Sequence, residues 1–409
     1  MKIVNNLFLK FNTKWLLAGV LMTLASSFGQ TYFISIFAAE ICKEFRLSHG
    51  VWGGIYTLGT GVSAIVLVWI GVLVDIYRAR VMATISILGL SLSCIGMGVN
   101  QSVWLLPIVI FALRFTGQGM LMHIPGVSMA RWFNESRGKA IAISKLGYAI
   151  GYAFLPMIFV TFMNYHPWRF LWIVVSVIVV MFIPAILFLL KNEKSPKATA
   201  INKTSKGMLE KNWTRKETLC NRLFWMISPS IIFPSMFNTA LFFQQVHFVN
   251  IKGWSHVMFV STLPAYTLTT IISMIVAGWA IDRWGSGGLM SYYLLPFAGG
   301  FMILWMAGSI LQALIGIILI ALTSGINTAL SSTFWAEYYG TRYLGEVKSI
   351  SSAMMVIGSA IGPGLSGLLI DLKFDFTKQI LGIVILTIFS TITNIYALKR
   401  AKLLLMRKT

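Results

Sequence analysis

The sequence predicts an all-α membrane protein of 12 transmembrane helices in two pseudo-symmetric six-helix halves. Three observations carry that expectation. Hydrophobic residues make up 57% of the chain and charged residues only 11%, whereas a soluble domain carries about 25% charged residues. The apolar residues gather into runs of about 20, the length that crosses a hydrocarbon core. Gly71 and Asp75 stand 207 positions before Gly278 and Asp282, and the same offset pairs Gly138 with Gly345, Gly151 with Gly358 and Pro156 with Pro363. Glycine and proline mark backbone geometry, so matches at one offset indicate a duplicated unit.

The elements follow in order. Span 15–38 carries no charge. It is longer than the 7–15-residue core of a cleaved signal sequence, so it stays as a span. Spans 51–74 and 81–99 are separated by the charged turn "DIYRAR". Span 103–126 holds the one charge deep in a span, Arg114. Span 139–163 contains "GYAIGYAFLP", and "HPWRFLW" opens span 168–190. That sixth span is apolar all round apart from Ser176 and its outer end, as a lipid-facing helix should be. Residues 191–222 hold nine Lys/Arg against three Glu with no helical apolar period, which reads as a linker. Spans 223–248, 256–280, 288–309, 311–334, 346–370 and 379–398 complete the second half, the last more polar than a lipid-facing helix should be. The expected domains are therefore an N-terminal half at 1–190, a cytoplasmic linker at 191–222 and a C-terminal half at 223–409.

Charge sets the orientation. The spans alternate from a cytoplasmic amino terminus, and each basic residue at a span end is counted with the loop it adjoins. Of 33 Lys and Arg, 26 then fall inside, six outside, and Arg114 within a span. Positive loops stay in the cytoplasm, which places both termini there. The same distribution accounts for the net charge of +21 without a nucleic-acid partner. The central linker reads as a solvated tether, with contact to anionic lipid headgroups the alternative. Cys42, Cys94 and Cys220 are scattered and the five histidines form no cluster, so neither a metal nor a cofactor is expected.

"GVLVDIYRAR" (71–80) and "GWAIDRWGSG" (278–287) close the second and eighth spans. With "RWFNESRGKA" after the fourth span and "HPWRFLW" before the sixth, they resemble the major facilitator superfamily and its signature G-x-x-x-D-[RK]-x-G-[RK]-[RK]. Gly71, Asp75 and Arg80 match, while Ile76 replaces a basic residue and Arg78 a glycine. The second copy keeps Gly278, Asp282, Arg283 and Gly285. "ALRFTGQG" is similar to the family's helix-4 arginine motif with its Gly and Gln shuffled. "GYAIGYAFLP" is similar to the exporter motif G-x-x-x-G-P, but its proline comes five residues after Gly151. "SSFGQTYFISIFAAEI" and "FWAEYYGTRYLGEVKSISSAMMVIGSAIGPGLSGLLID" resemble a bacterial branch related to monocarboxylate carriers, which includes riboflavin and copper importers.

The resemblance implies a secondary transporter of a small molecule, not an enzyme. It would act as a monomer in the bilayer of a bacterial inner membrane by alternating access. It also implies that Gly71, Asp75 and Arg80, with Gly278, Asp282 and Arg283, gate the cytoplasmic side. There each aspartate would face a helix amino terminus, an interaction of about 0.3–1 kcal/mol. Spans 1, 4, 7 and 10 would line the cavity. The candidate substrate residues are Gln30 and Tyr32, Arg114 and Gln118, Asn238 and Gln245, Tyr266, and Asn327. Arg114 and Gln118 are four apart and share a helix face. Arg114 sits roughly 16 Å into its span, where a charge needs a cavity or a partner. It reads equally as a substrate contact or as an arginine bonded to backbone carbonyls. All twelve Asp and Glu lie in loops or at helix ends, so no mid-span carboxylate carries a coupling proton and the coupling ion is left open.

A flat heteroaromatic solute such as riboflavin suits these residues best. Tyr32, Phe33, Phe242, Phe243 and Tyr266 offer stacking faces, and the Gln and Asn side chains offer partners for ring carbonyls and nitrogens. Copper is the first alternative, on 21 methionines and "MLMH" at 120–123, since thioether and imidazole suit Cu(I). The copper importer pairs, M-x-x-x-M on the seventh span and H-x-x-x-M on the eighth, are missing. A monocarboxylate or other organic-anion carrier would use basic residues on spans 8 and 11, which have none in their interiors. A sensor would add a folded cytoplasmic domain, and a membrane enzyme would need a mid-span catalytic cluster; the sequence offers neither.

Overall fold

The computed structural model describes the backbone of residues 2–71, 73–133, 137–193, 206–340 and 342–406. Among the described residues every regular element is helical. Eleven helices are long and apolar enough to cross a membrane, and one bent pair makes a twelfth. In chain order, α1 is the pair Thr13–Gly29 and Thr31–Phe45, bent by 45°. Then come α2 His49–Leu67, α3 Ala79–Val99, α4 Val103–Met129, α5 Ala140–Met163 and α6 Trp168–Leu189. The second set is α7 Arg222–Phe243, α8 His256–Ile281, α9 Ser286–Met306, α10 Ile310–Ser331, α11 Glu346–Asp371 and α12 Phe376–Ala401. The chain forms two compact units, Met1–Ile201 and Asn202–Thr409.

The two units pack by one scheme. In the first, α1 lies on α5, α2 on α4 and α3 on α6; in the second, α7 lies on α11, α8 on α10 and α9 on α12. Lipid gives helices no hydrophobic reason to associate, so close approach through small residues must hold them. Gly151 and Gly358 do this at equivalent crossings. A side chain at Gly151 would collide with Ser27 of α1, and one at Gly358 would come within 2.7 Å of the Ile232 carbonyl of α7. Each crossing is sealed by a hydroxyl. Thr23 Oγ1 donates to the Ser144 carbonyl of α5, and Ser235 Oγ donates to the Met355 carbonyl of α11 at 2.7 Å.

The outer helices show how apolar and polar faces sort. On α6, Leu171, Trp172, Val175 and Val179 are buried while Val177, Met181 and Phe188 are exposed, as expected of a lipid-facing helix. The unexpected polarity of α12 also resolves. Thr387, Ser390, Thr391 and Asn394 are buried, while Ile385, Phe389 and Ile392 face outward. Thr387 and Thr391 bond the carbonyls four residues back, and Asn394 Nδ2 donates to the Met290 carbonyl of α9 at 3.3 Å. Hydroxyls satisfied by their own helix cost little inside a bundle. At the end of the first unit opposite the α6–linker junction, Arg169 Nε and Nη2 grip Glu44 Oε1 at 2.8 and 2.7 Å, and Nη1 reaches the Gly98 carbonyl at 3.0 Å. That side chain ties α1, α3 and α6 together.

The stretch 191–222, read as a linker, is folded over part of its length. Residues 194–205 lie outside the described residues, but from Lys206 the chain folds onto the second unit. A turn at Met208–Glu210 buries Met208 beside Phe224 and Tyr339. The Trp213 N–H donates to the Tyr339 carbonyl at 2.9 Å. A short helix, Arg215–Cys220, opens on a capping box in which Thr214 and Glu217 exchange hydrogen bonds, satisfying two helix-end donors at once. Leu209 and Glu210 have φ of 58° and 53°, a left-handed backbone that costs about 1–2 kcal/mol per residue. Burial of Met208 offsets that strain.

Candidate functional site

The site in the first unit begins with the break in α1. Ser26 Oγ bonds the Thr23 carbonyl at 2.6 Å, and hydroxyls that bond nearby carbonyls compete with helical hydrogen bonding. Gly29 adds a weak helix former. The helix tightens over Ser27–Gly29, and Gln30 becomes extended at ψ 154°. Both Phe33 N and Ile34 N then bond the Gln30 carbonyl, so the Gly29 carbonyl loses its helical donor. Arg114 supplies one, with Nη1 at 3.3 Å.

Helix α4 is shaped to deliver that arginine. Its segment Arg114–Met120 is π-helical, a distortion common at functional positions. Gly29 and Gly117 bring the two irregular segments into backbone contact: a side chain at Gly117 would meet the Gly29 Cα at 2.6 Å. Arg114 is 2% exposed, and its guanidinium lies 5.3 Å from the Tyr56 ring centre on α2. The Tyr56 hydroxyl donates to Thr31 Oγ1 at 2.5 Å. Arg114 thus meets a carbonyl and a ring face at the break, a geometry that fits the backbone-bonded one of its two expected roles, while its buried Nε has no acceptor among the described residues. Gln118 is half-buried, and its Oε1 accepts no hydrogen bond among the described residues.

Gln30 and Tyr32 are buried at the break. Tyr32 packs edge-on against Tyr152 at 4.5 Å and Tyr148 at 5.7 Å, both on α5. The spacing "GYAIGY", four residues apart on one helix face, was the signal for this tyrosine pair. Phe33 is fully buried among Phe28, Phe159 and Trp172. It belongs to the core and offers no open stacking face.

In the second unit, Asn238 Nδ2 donates to the Tyr266 hydroxyl at 3.2 Å, and that hydroxyl lies 2.7 Å from Ser324 Oγ. The chain of contacts joins α7, α8 and α10. Asn238 Oδ1 is buried and accepts no hydrogen bond among the described residues. Phe242 meets the Tyr266 ring edge-on at 5.5 Å, while Phe243 is core. Asn327, half-buried, follows Ser324 by three residues on α10. Helix α7 ends at Gln244, and Gln245, 1% exposed, opens the short helix Gln245–Lys252.

The gating positions are placed in part. The side chains of Asp75 and Asp282 lie outside the described residues. Arg80 sits near the start of α3, and its backbone N–H and Nε approach the Glu193 carboxylate at 3.3 and 3.9 Å. A carboxylate at a helix amino terminus is stabilised by the helix dipole. Burial nonetheless dominates and raises the Glu193 pKa, against the lowering effect of the Arg80 N–H and guanidinium. Glu337 caps α9 in the same manner, accepting from Ser286 N at 2.9 Å and Ser286 Oγ at 2.6 Å. The units therefore cap equivalent helices from unrelated positions. Gly71 lies against His123, one member of "MLMH". A side chain at Gly278 would meet nothing within 4 Å, so packing inside its unit does not demand that glycine. Arg283 is exposed near the Trp279 and Trp284 rings.

Comparison with known proteins adds three findings. The family model described as Major Facilitator Superfamily matches residues 19–292 and 257–402. A protein named Multidrug resistance protein B homolog, from Mycobacterium tuberculosis, is 30% identical over 132 residues; these are 32% of this chain and 24% of that protein, so the chain spans about a quarter of that relative's length. Among solved structures, a bacterial homolog of the human lysosomal transporter Spinster, inward-facing and unoccupied, aligns with a TM-score of 0.72 at 14% identity, covering 95% of this chain and 97% of that one. A nucleoside transporter aligns with a TM-score of 0.72 at 12% identity, covering 95% and 99%. At such identities the likeness is one of fold.

Proposed function

The chain belongs to the major facilitator superfamily, and from that premise we propose that it is an uptake carrier for a flat, polar heteroaromatic solute of the riboflavin type. The coarser statement stands on the family and the twelve spans: it is a multi-pass membrane transporter. The observation that carries the finer reading is a pair of buried amide oxygens, Gln118 Oε1 and Asn238 Oδ1, with no donor among the described residues. Buried acceptors ordinarily find a donor, and a heteroaromatic imide with hydroxylated substituents brings several. Gln30, Gln245 and Asn327 add hydrogen-bonding groups, and Tyr32 and Tyr266 add aromatic rings. Arg114 acts by fixing the α1 break. Gly71, Asp75, Arg80, Gly278, Asp282 and Arg283 form the gate.

Proteoliposomes holding the purified chain should accumulate labelled riboflavin above protein-free vesicles. In the same assay, Asp75→Asn with Asp282→Asn should slow uptake at least about tenfold with little loss of thermal stability. Accumulation of Cu(I), a carboxylate or another labelled small solute in place of riboflavin would overturn the substrate reading and leave the carrier standing. Wild-type rates in the double variant would remove the aspartates from the gate.

We also place both termini in the cytoplasm of a bacterial inner membrane, on the strength of the basic loops. A reporter inserted near Ala198, or fused after Thr409, should read cytoplasmic. An outside signal from either position would reverse the orientation.

A further inference from the structure

The second unit holds a pocket of about 560 Å³ whose lining includes none of the candidate substrate residues. It opens where residues 208–222 pack against the start of α7 and the end of α12. Its floor is apolar, with Leu223, Met226 and Ala397. Its rim carries Arg222 and Arg400, both exposed. Neither has an ion-pair partner among the described residues. The lining's third cation, Lys211, and its one acid, Glu217, neutralise each other at 2.7 Å. The Lys211 hydrogen bond, helped by the Thr214 N–H, holds the Glu217 carboxyl down at about 2. The pair therefore stays ionised and matched, and the pocket keeps two uncompensated guanidiniums.

Two further features point to lipid. Trp213 and Tyr396 are among the lining residues, and such rings settle at the headgroup level of a bilayer. Leu209, on the strained turn, is 55% exposed at the rim while its neighbour Met208 is 1% exposed. The fold thus holds an apolar side chain outward beside two cations. Helix α7 begins here and α12 ends here, the end that carries the basic stretch 206–222 and, by the proposed orientation, the cytoplasmic face. Basic pockets at helix ends on that face suit anionic headgroups.

We propose that this pocket seats one anionic phospholipid of the inner leaflet. Arg222 and Arg400 engage the phosphate through their planar forks, and Leu223, Met226 and Leu209 meet the first acyl carbons. The chemistry at the rim is that of any phosphate oxygen; the apolar floor commits the site to a lipid. The inference rests on the orientation proposed above, with the basic loops cytoplasmic, and holds whatever solute the chain carries.

The test uses the full-length chain in detergent, with native mass spectrometry and thermal scanning against phosphatidylglycerol, phosphatidylcholine and inorganic phosphate. Phosphatidylglycerol should be retained at least about tenfold more than phosphatidylcholine and should raise the melting temperature. Millimolar inorganic phosphate should leave it unchanged. Arg222→Gln with Arg400→Gln should abolish the selectivity, and Arg222→Lys with Arg400→Lys should keep part of it. Equal retention of the two lipids by the wild-type chain would overturn the proposal without any variant. A matching shift from phosphate alone would overturn the lipid as occupant. Undiminished selectivity in a folded Gln variant would overturn the site.

Discussion

Gly29→Ala and Gly117→Ala should each leave the first unit largely unfolded. A Cβ on Gly29 would stand 2.7 Å from the Gly117 Cα and would strike the Leu113 carbonyl. A Cβ on Gly117 would stand 2.6 Å from the Gly29 Cα and 2.9 Å from its nitrogen. These are backbone atoms, which cannot rotate aside as a flexible side chain would. Overpacking that forces backbone shifts costs about 1–3 kcal/mol and sometimes more, and here two membrane helices must separate. The separation also takes the Gly29 carbonyl away from Arg114. Gly126→Ala is the internal control, since a Cβ there would meet nothing within 4 Å. Thermal scanning of the purified variants in detergent decides it. A Gly117→Ala protein that melts with the wild type would refute the backbone contact.

Arg114→Lys should lower stability by about 2 kcal/mol, the scale of a hydrogen bond to a charged group, with solute affinity unchanged among the folded molecules. Lysine keeps the charge but has no planar fork to span a carbonyl and lie over a ring. The Gly29 carbonyl would lose its donor, and the break in α1 would loosen. Melting temperature and affinity must be measured on one preparation. A stable variant with weakened affinity would return Arg114 to direct substrate contact.

How much of this was legible beforehand differs from element to element. The duplication was, because Gly151 and Gly358 persist where two helices must touch, and backbone geometry leaves few substitutes. The spans were also legible, since each element had to be apolar for its full length. The break in α1 was not. Ser26 and Gly29 in "SSFGQTYF" weaken a helix without ending a helical reading, because the donor that stabilises the break, Arg114, is 85 residues away. Burial on single faces was obscured too. Where lipid and core are equally apolar, hydrophobicity cannot separate Phe33 and Phe243, which are core, from Tyr32 at the site. The docked end of the linker carried a readable sign, the Thr214–Glu217 capping box, hidden within a strongly basic stretch. Arg114 was found as an anomaly of charge, but its contacts with the Gly29 carbonyl and the Tyr56 ring are geometry that sequence spacing does not contain.

The pairing of α1 with α5 and of α7 with α11 has a consequence for how the protein is made. Thr23 finds its acceptor, Ser144, 121 residues later, and Ser235 finds Met355 120 residues later. A ribosome adding 5–20 residues per second needs roughly 6–24 s to deliver each partner. During that interval α1 has left the ribosome with its serines, threonine and glutamine facing lipid or the insertion machinery. The same wait recurs once α7 emerges. Assembly of each unit is therefore completed by its fifth helix, and a chain stalled after four would hold the α1 break through Tyr56 and Arg114 but leave Thr23 without its partner on α5.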